Sequence, residues 1–83
     1  MELHLHCGHV VDGIRARGRT NRYAAIADGL LPPPLKLGRM SRWPAHEIDA
    51  VIAAEIRGDT PDQIRQLVRD LVAARATLHP EQP

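Results

Sequence analysis

The stretch from Leu30 to Pro44, LLPPPLKLGRMSRWP, places everything else in this chain of 83 residues. Pro32, Pro33 and Pro34 cannot continue a helix, and each pushes the residue before it toward extended geometry. A helix ending near Asp28 must therefore give way to extended chain. Leu35 and Leu37 alternate with Lys36, Gly38-Arg39 offers a tight turn, and Met40 and Trp43 are set against Ser41 and Arg42. This is the pattern of a β-hairpin whose strands each have an apolar and a polar side. Lys36, Arg39 and Arg42 bring three positive charges onto one small ribbon. Such a ribbon suits a phosphate backbone.

Upstream of the hairpin, Thr20 predicts the N-cap of a helix, with Asn21 and Arg22 exposed in its first turn and Tyr23, Ile26 and Ala27 on its buried side. Gly29 stands where a helix C-cap favours glycine. Arg17-Gly18-Arg19 reads as a turn, with Gly18 free to take positive φ. Val10, Val11 and Ile14 predict a short helix over Val10 to Ala16. Short helix, glycine turn and short helix with a polar start form a helix-turn-helix outline.

In residues 1–9, Leu3, Leu5 and Cys7 alternate with His4, His6 and Gly8, which fits a short strand or a loose tail. His4, His6, Cys7 and His9 are four potential zinc ligands, but side chains so close in sequence rarely converge tetrahedrally without a spacer. A solvated, His-rich terminus is the reading we favour there.

Downstream, Pro44 opens a helix to about Arg57 with an apolar stripe of Ile48, Val51, Ile52 and Ile56, and Gly58 ends it. Thr60-Pro61-Asp62-Gln63 then spells a capping box with proline in the first turn. Ile64, Leu67, Val68, Leu71, Val72 and Arg75 repeat at three and four, predicting a helix to about Ala76, followed by a loose tail from His79 to Pro83. The series Ile64, Leu67, Leu71, Ala74, Leu78 also fits a heptad seam, which would give a homodimer through this C-terminal helix. Packing on its own domain is favoured, because so short a chain needs every apolar face for its core.

The net charge of +1 hides a division. Arg15, Arg17, Arg19, Arg22, Lys36, Arg39 and Arg42 face Asp28 alone between residues 15 and 42, whereas from Trp43 onward seven acids outnumber four bases. The expected molecule has a basic end and an acidic end. With no Phe, the core must be aliphatic, anchored by Tyr23 and Trp43. A lone Cys7 allows no internal disulfide and fits a reducing compartment. Neither a secretory signal nor a membrane-spanning run is evident, so a cytoplasmic, nucleoid-associated protein is expected, with no membrane partner. Catalysis finds little support: Ser41 is the only serine, Cys7 the only thiol, and no phosphate-binding glycine loop appears. We expect no enzyme, no cofactor, no metal and no small-molecule substrate.

The string Tyr23-(x5)-Gly29-Leu30-Leu31-Pro32, then Pro34-Leu35-Lys36-Leu37-Gly38-Arg39 and Arg42-Trp43-Pro44-(x2)-Glu47-Ile48, resembles the AlpA family of small phage and genomic-island regulators. These are related to excisionases and to MerR-like winged-helix DNA-binding domains. The resemblance covers about residues 10–57. It implies a mainly helical winged helix-turn-helix with a small β-hairpin, and residues 58–83 would append an amphipathic helix and tail. Residues near Thr20 to Arg22 would begin the recognition helix, Gly38-Arg39 would tip the wing, and Trp43 would lie in the core. The chain departs from the family where Ala16-Arg17-Gly18 replaces a Gly-apolar-Ser turn and Val51 replaces a second tryptophan.

The expected partner is double-stranded DNA. Arg22 or Asn21 would pair with a guanine or adenine edge in the major groove. Arg17, Thr20 and the helix N-terminus would hold phosphate, with Arg19 flanking the helix start. Lys36 and Arg42 would mark the wing, and Arg39 would enter the adjacent minor groove. Against this stand plainer readings: solvated turn charges at Arg17 and Arg19, and a surface pair of Arg42 with Glu47 or Asp49. Three functions share the pattern: a sequence-specific transcriptional regulator, an excisionase-like DNA-bending factor, and a protein-interaction module that binds no DNA.

Overall fold

The sheet that the hairpin begins is completed from the other end of the chain. The computed structural model describes residues 4–77. In order they form β1 (Leu5–Cys7), α1 (Gly8–Arg15), α2 (Arg19–Ala27), β2 (Leu35–Leu37), β3 (Met40–Pro44), α3 (Ala45–Arg57) and α4 (Pro61–Ala74), then a 3₁₀ turn over Arg75–Thr77. This mainly helical chain carries one antiparallel sheet of order β1-β3-β2. The tail expected from His79 onward lies outside the described residues.

The hairpin forms where alternation and Gly38 put it. Leu37 pairs with Met40 across the two-residue turn, Lys36 with Ser41 and Leu35 with Arg42. Gly38 has φ +65°, the sign that both primed hairpin turns need at their first central residue. On the other side of β3, Leu5 pairs with Pro44, His6 with Trp43 and Cys7 with Arg42. The Ala45 N–H extends this ladder to the His4 carbonyl at 2.7 Å. Of the two readings of the N-terminal segment, residues 5–7 take the strand, so the sheet draws in residues ahead of the 10–57 segment.

The register corrects one expectation about the ribbon. Met40 and Trp43 are three apart and so point to opposite faces of β3. Trp43 goes inward with Ser41, whereas Met40 shares the outer face with Arg42, and both Leu37 (44% exposed) and Met40 (51%) stay open to water.

Three helices end alike. Gly29 (φ +78°), Gly58 (φ +83°) and Ala16 (φ +57°) take the left-handed conformation. At Gly29 the Leu30 N–H reaches the Ala25 carbonyl and the Gly29 N–H that of Ile26, closing a Schellman motif. The turn between α1 and α2 was expected to use Gly18 for positive φ, but Gly18 is extended at φ −84° and Ala16 takes the corner. Alanine holds it at a cost of about 1–2 kcal/mol. Gly18, not Thr20, is the N-cap of α2, and no side chain caps that helix. The capping box of α4 is complete: Gln63 N–H donates to Thr60 Oγ1 and Thr60 N–H to Gln63 Oε1.

Two apolar clusters make the core. Val11, Ala25, Leu31, Trp43 and Ile48 join α1, α2, the proline segment, β3 and α3. Val51, Ala54, Ile64 and Val68 join α3 to α4, and Leu30 packs against both clusters. The stripe of α4 is thus seated within its own chain. Tyr23, expected in the core, is 56% exposed, Ala27 is exposed too, and Ala25 is the residue α2 buries. A nine-residue helix ending in a tight cap turns only a narrow strip inward, and alanine lets α2 approach closely. Likewise α3 buries Glu47, Ile48, Val51 and Ala54, while Ile56 lies off that face and is 81% exposed.

The proline segment serves as a row of acceptors, because it has no N–H groups to satisfy. Trp43 Nε1 donates to the Pro32 carbonyl at 2.8 Å, and Arg75 Nη2 to that of Pro33 at 2.7 Å. Arg65 Nε donates to the Asp28 carbonyl at 2.8 Å, fastening α4 to the end of α2.

Candidate nucleic-acid interface

The first turn of α2 is open. Its cap is a glycine, its first turn holds no acid, and Arg17, Arg19, Thr20 and Asn21 are all exposed around it. Helical N–H groups without acceptors carry about half a positive charge, so this end and its arginines add to one another. The Arg19 guanidinium lies 5.7 Å from the centre of the Tyr23 ring, which holds it over the outer face of the helix. Tyr23 therefore serves the surface: its ring supports a cation and leaves the core to Trp43.

Arg22 differs from the expectation of an exposed reader. Its side chain is only 11% exposed. The guanidinium sits 5.3 Å from the Trp43 ring centre and 5.2 Å from that of Tyr23, with Nε 3.2 Å from Asp12 Oδ1. That last contact has the distance of an ion pair but not the alignment of a hydrogen bond, since neither atom finds a hydrogen-bond partner. A Cβ on Gly8 would come within 1.5 Å of Arg22 Nη1. The absence of a side chain at the start of α1 is what admits the guanidinium. Arg22 thus braces α2 against β3 and α1 and is withdrawn from the surface.

Arg15 was not among the expected site residues. It lies four residues after Val11 on the inward strip of α1, a spacing visible in the sequence, and is buried with it. Its Nη2 donates to Asn21 Oδ1 at 3.0 Å, while Nε and Nη1 are buried without partners. Burial, and then the charge of Arg17, lower its pKa. By taking the Asn21 oxygen, Arg15 leaves the Asn21 amide hydrogens facing outward as donors.

On the hairpin, Lys36 and Arg39 are exposed. Lys36 Nζ donates to Ser41 Oγ at 2.9 Å, its partner in the ladder. Arg42 is half-buried and forms no pair with Glu47 or Asp49: Nη1 donates to the Ser41 carbonyl at 2.9 Å and Nη2 to Met40 Sδ at 3.1 Å. Glu47 is fully buried and taken by Arg75 instead. The sheet with its turn contains no acidic residue. The structure therefore brings Arg17, Arg19, Thr20 and Asn21 together at one helix end and Lys36, Arg39 and Arg42 on one ribbon. The Arg22–Trp43 contact links the two.

Among the described residues, no three His, Cys, Asp or Glu side chains converge to hold a metal ion. His4 precedes β1, His6 and Cys7 lie in it, and His9 lies in the first turn of α1. No helix among the described residues is long and apolar enough to cross a membrane. No family model, curated protein or solved structure matches the chain.

Proposed function

We propose that the chain is a DNA-binding regulator of the winged helix-turn-helix kind, with the first turn of α2 in the major groove and the β2–β3 hairpin as a wing. The observation that carries this reading is the uncapped, acid-free start of α2 with four exposed polar or cationic side chains, joined through Trp43 to an acid-free basic ribbon. The likeness of the Leu30 to Pro44 stretch to AlpA regulators supports it.

Within this reading Arg19 and the Asn21 amide are the base readers, a pairing worth about 1–3 kcal/mol of discrimination each. Arg17, Thr20 and the open helix end hold phosphate, as do Lys36 and Arg42, and Arg39 at the turn reaches the minor groove. Arg22 positions the reading helix through Trp43 without touching a base. A recombination factor that bends DNA would use the same contacts.

The test is selection of bound sequences from a random duplex pool, with a salt titration of the recovered site. Three cations on phosphate, Arg17, Lys36 and Arg42, give a log-log slope of about −3. A recovered motif with that slope supports a sequence-specific regulator, and the steep slope without a motif supports a bending factor. Absence of binding at low salt refutes both and favours an interaction module.

A further inference from the structure

The sheet has two unlike faces. Trp43 lies inward, but the outer face carries Leu5 beside Pro44, Cys7 and Leu35 on either side of Arg42, and Leu37 beside Met40. None of these seven belongs to either core cluster, and of them Pro44 alone is fully buried. Leu5, Leu37 and Met40 are exposed. The face is therefore an apolar surface with one cation at its centre, and Arg42 meets no carboxylate among the described residues.

A second uncovered surface has the complementary character. His46, Asp49, Ala53 and Ile56 follow one another along α3 at helical spacing, and all four are exposed. This strip holds one acid, Asp49, which forms no ion pair among the described residues, and the most exposed large apolar side chain, Ile56. It cannot fold back on its own sheet. The strip belongs to the helix that follows β3 directly, so Ile56 stands about 16 Å along the axis from Ala45.

We propose that the outer sheet face of one copy receives the outer strip of α3 of a second copy, with Ile56 against Leu37 and Met40 and Asp49 paired with Arg42. Two sheet faces packed about a two-fold axis would set Arg42 against Arg42, whereas a DNA phosphate held by Arg42 would leave Leu37 and Met40 uncovered. The helix strip is the surface that supplies both an aliphatic side chain and a carboxylate. The contact joins different faces, so each copy keeps one face free for the next. It does not use α4, whose apolar stripe is seated on α3.

The experiment is sedimentation velocity of the full chain over a wide range of concentration. Wild type grows in mass past a dimer as concentration rises. Ile56→Asp alone and Met40→Asp alone each remain monomeric, while an equimolar mixture of the two forms a dimer and stops there, because only one intact pair of faces remains. Arg42→Glu and Asp49→Arg each weaken association about tenfold, and the double variant regains it. Melting curves check that the variants fold, with Leu37→Ser replacing Met40→Asp if the latter does not. A monomeric wild type at every concentration overturns the proposal. So does undiminished assembly of the single variants, or a mixture that forms no dimer.

Discussion

The carboxylate of Glu47, fully buried at the start of α3, is gripped by Arg75 at the end of α4: Nη2 reaches Oε1 at 2.6 Å and Nε reaches Oε2 at 2.8 Å. The same guanidinium bonds the Pro33 carbonyl. One side chain thus closes the last helix onto both α3 and the segment that leads into the hairpin.

Arg75→Ala leaves a buried acid without a counter-charge, and the expected loss is about 3 kcal/mol, the lower end for a broken pair because Arg75 keeps some access to water. A chain ended at Ala74 should lose a similar amount. Replacing both partners by apolar side chains of similar volume, Glu47→Met with Arg75→Met, should recover most of it. Denaturant titrations of the set decide this, and a stable Arg75→Ala single variant would show that the pair contributes little.

Arg22→Ala should destabilise the domain by about 1–2 kcal/mol, the worth of a largely desolvated cation over aromatic rings. Gly8→Ala should cost a comparable amount, because its methyl expels the guanidinium from its seat. In the Arg22→Ala background the same change should cost almost nothing. The double-mutant cycle reads this coupling directly, and additive losses would place the strain elsewhere.

Trp43→Ala should cost about 3–5 kcal/mol and unfold a domain of this size at modest temperature. Trp43→Phe isolates the hydrogen bond to Pro32, since it keeps an aromatic ring; the expected loss is about 1 kcal/mol beyond repacking. By contrast Tyr23→Ala should shift the melting curve little and instead weaken DNA binding through Arg19. Thermal melts and a titration with the selected duplex separate the two aromatics.

The Cys7 thiol stands at the start of α1, where the Val10 N–H chiefly holds its pKa below the usual thiol range, helped by the His9 N–H and the Arg42 charge and opposed by partial burial. Alkylation with iodoacetamide should therefore reach half its limiting rate at a lower pH in the folded protein than in denaturant. Arg42→Gln should move that midpoint upward. Identical midpoints in folded and denatured protein would contradict this.

What the sequence disclosed depended on how far apart the partners are. The α4 helix and the hairpin were legible because their signals are local: a capping box four residues long, a glycine turn, and an alternation of period two. The place of β1 was not, because three alternating residues name no partner, and Trp43 and Arg42 lie far along the chain. Tyr23 and Arg22 were misjudged for one reason. Helical spacing says which side chains share a strip, but Trp43 and the bare Cα of Gly8 decide which strip turns inward. Glu47 and Arg75, 28 residues apart, gave no sign of each other. Of the candidate site, the charged residues were legible as a set, and their division into surface contacts and internal braces was not.

The central place of β3 bears on how the chain tolerates being cut. Its inner neighbour on one side is the adjacent hairpin strand, but on the other it is β1, supplied by the residues nearest the N-terminus. A version begun at Val10 would keep every helix residue from there onward, yet it would turn β3 into an open edge with unpaired N–H and C=O groups. Such a fragment would be a precursor to aggregates more than a smaller domain. Fusions belong on the C-terminal side of Thr77, because among the described residues the sheet draws its strands from β1, β2 and β3 alone.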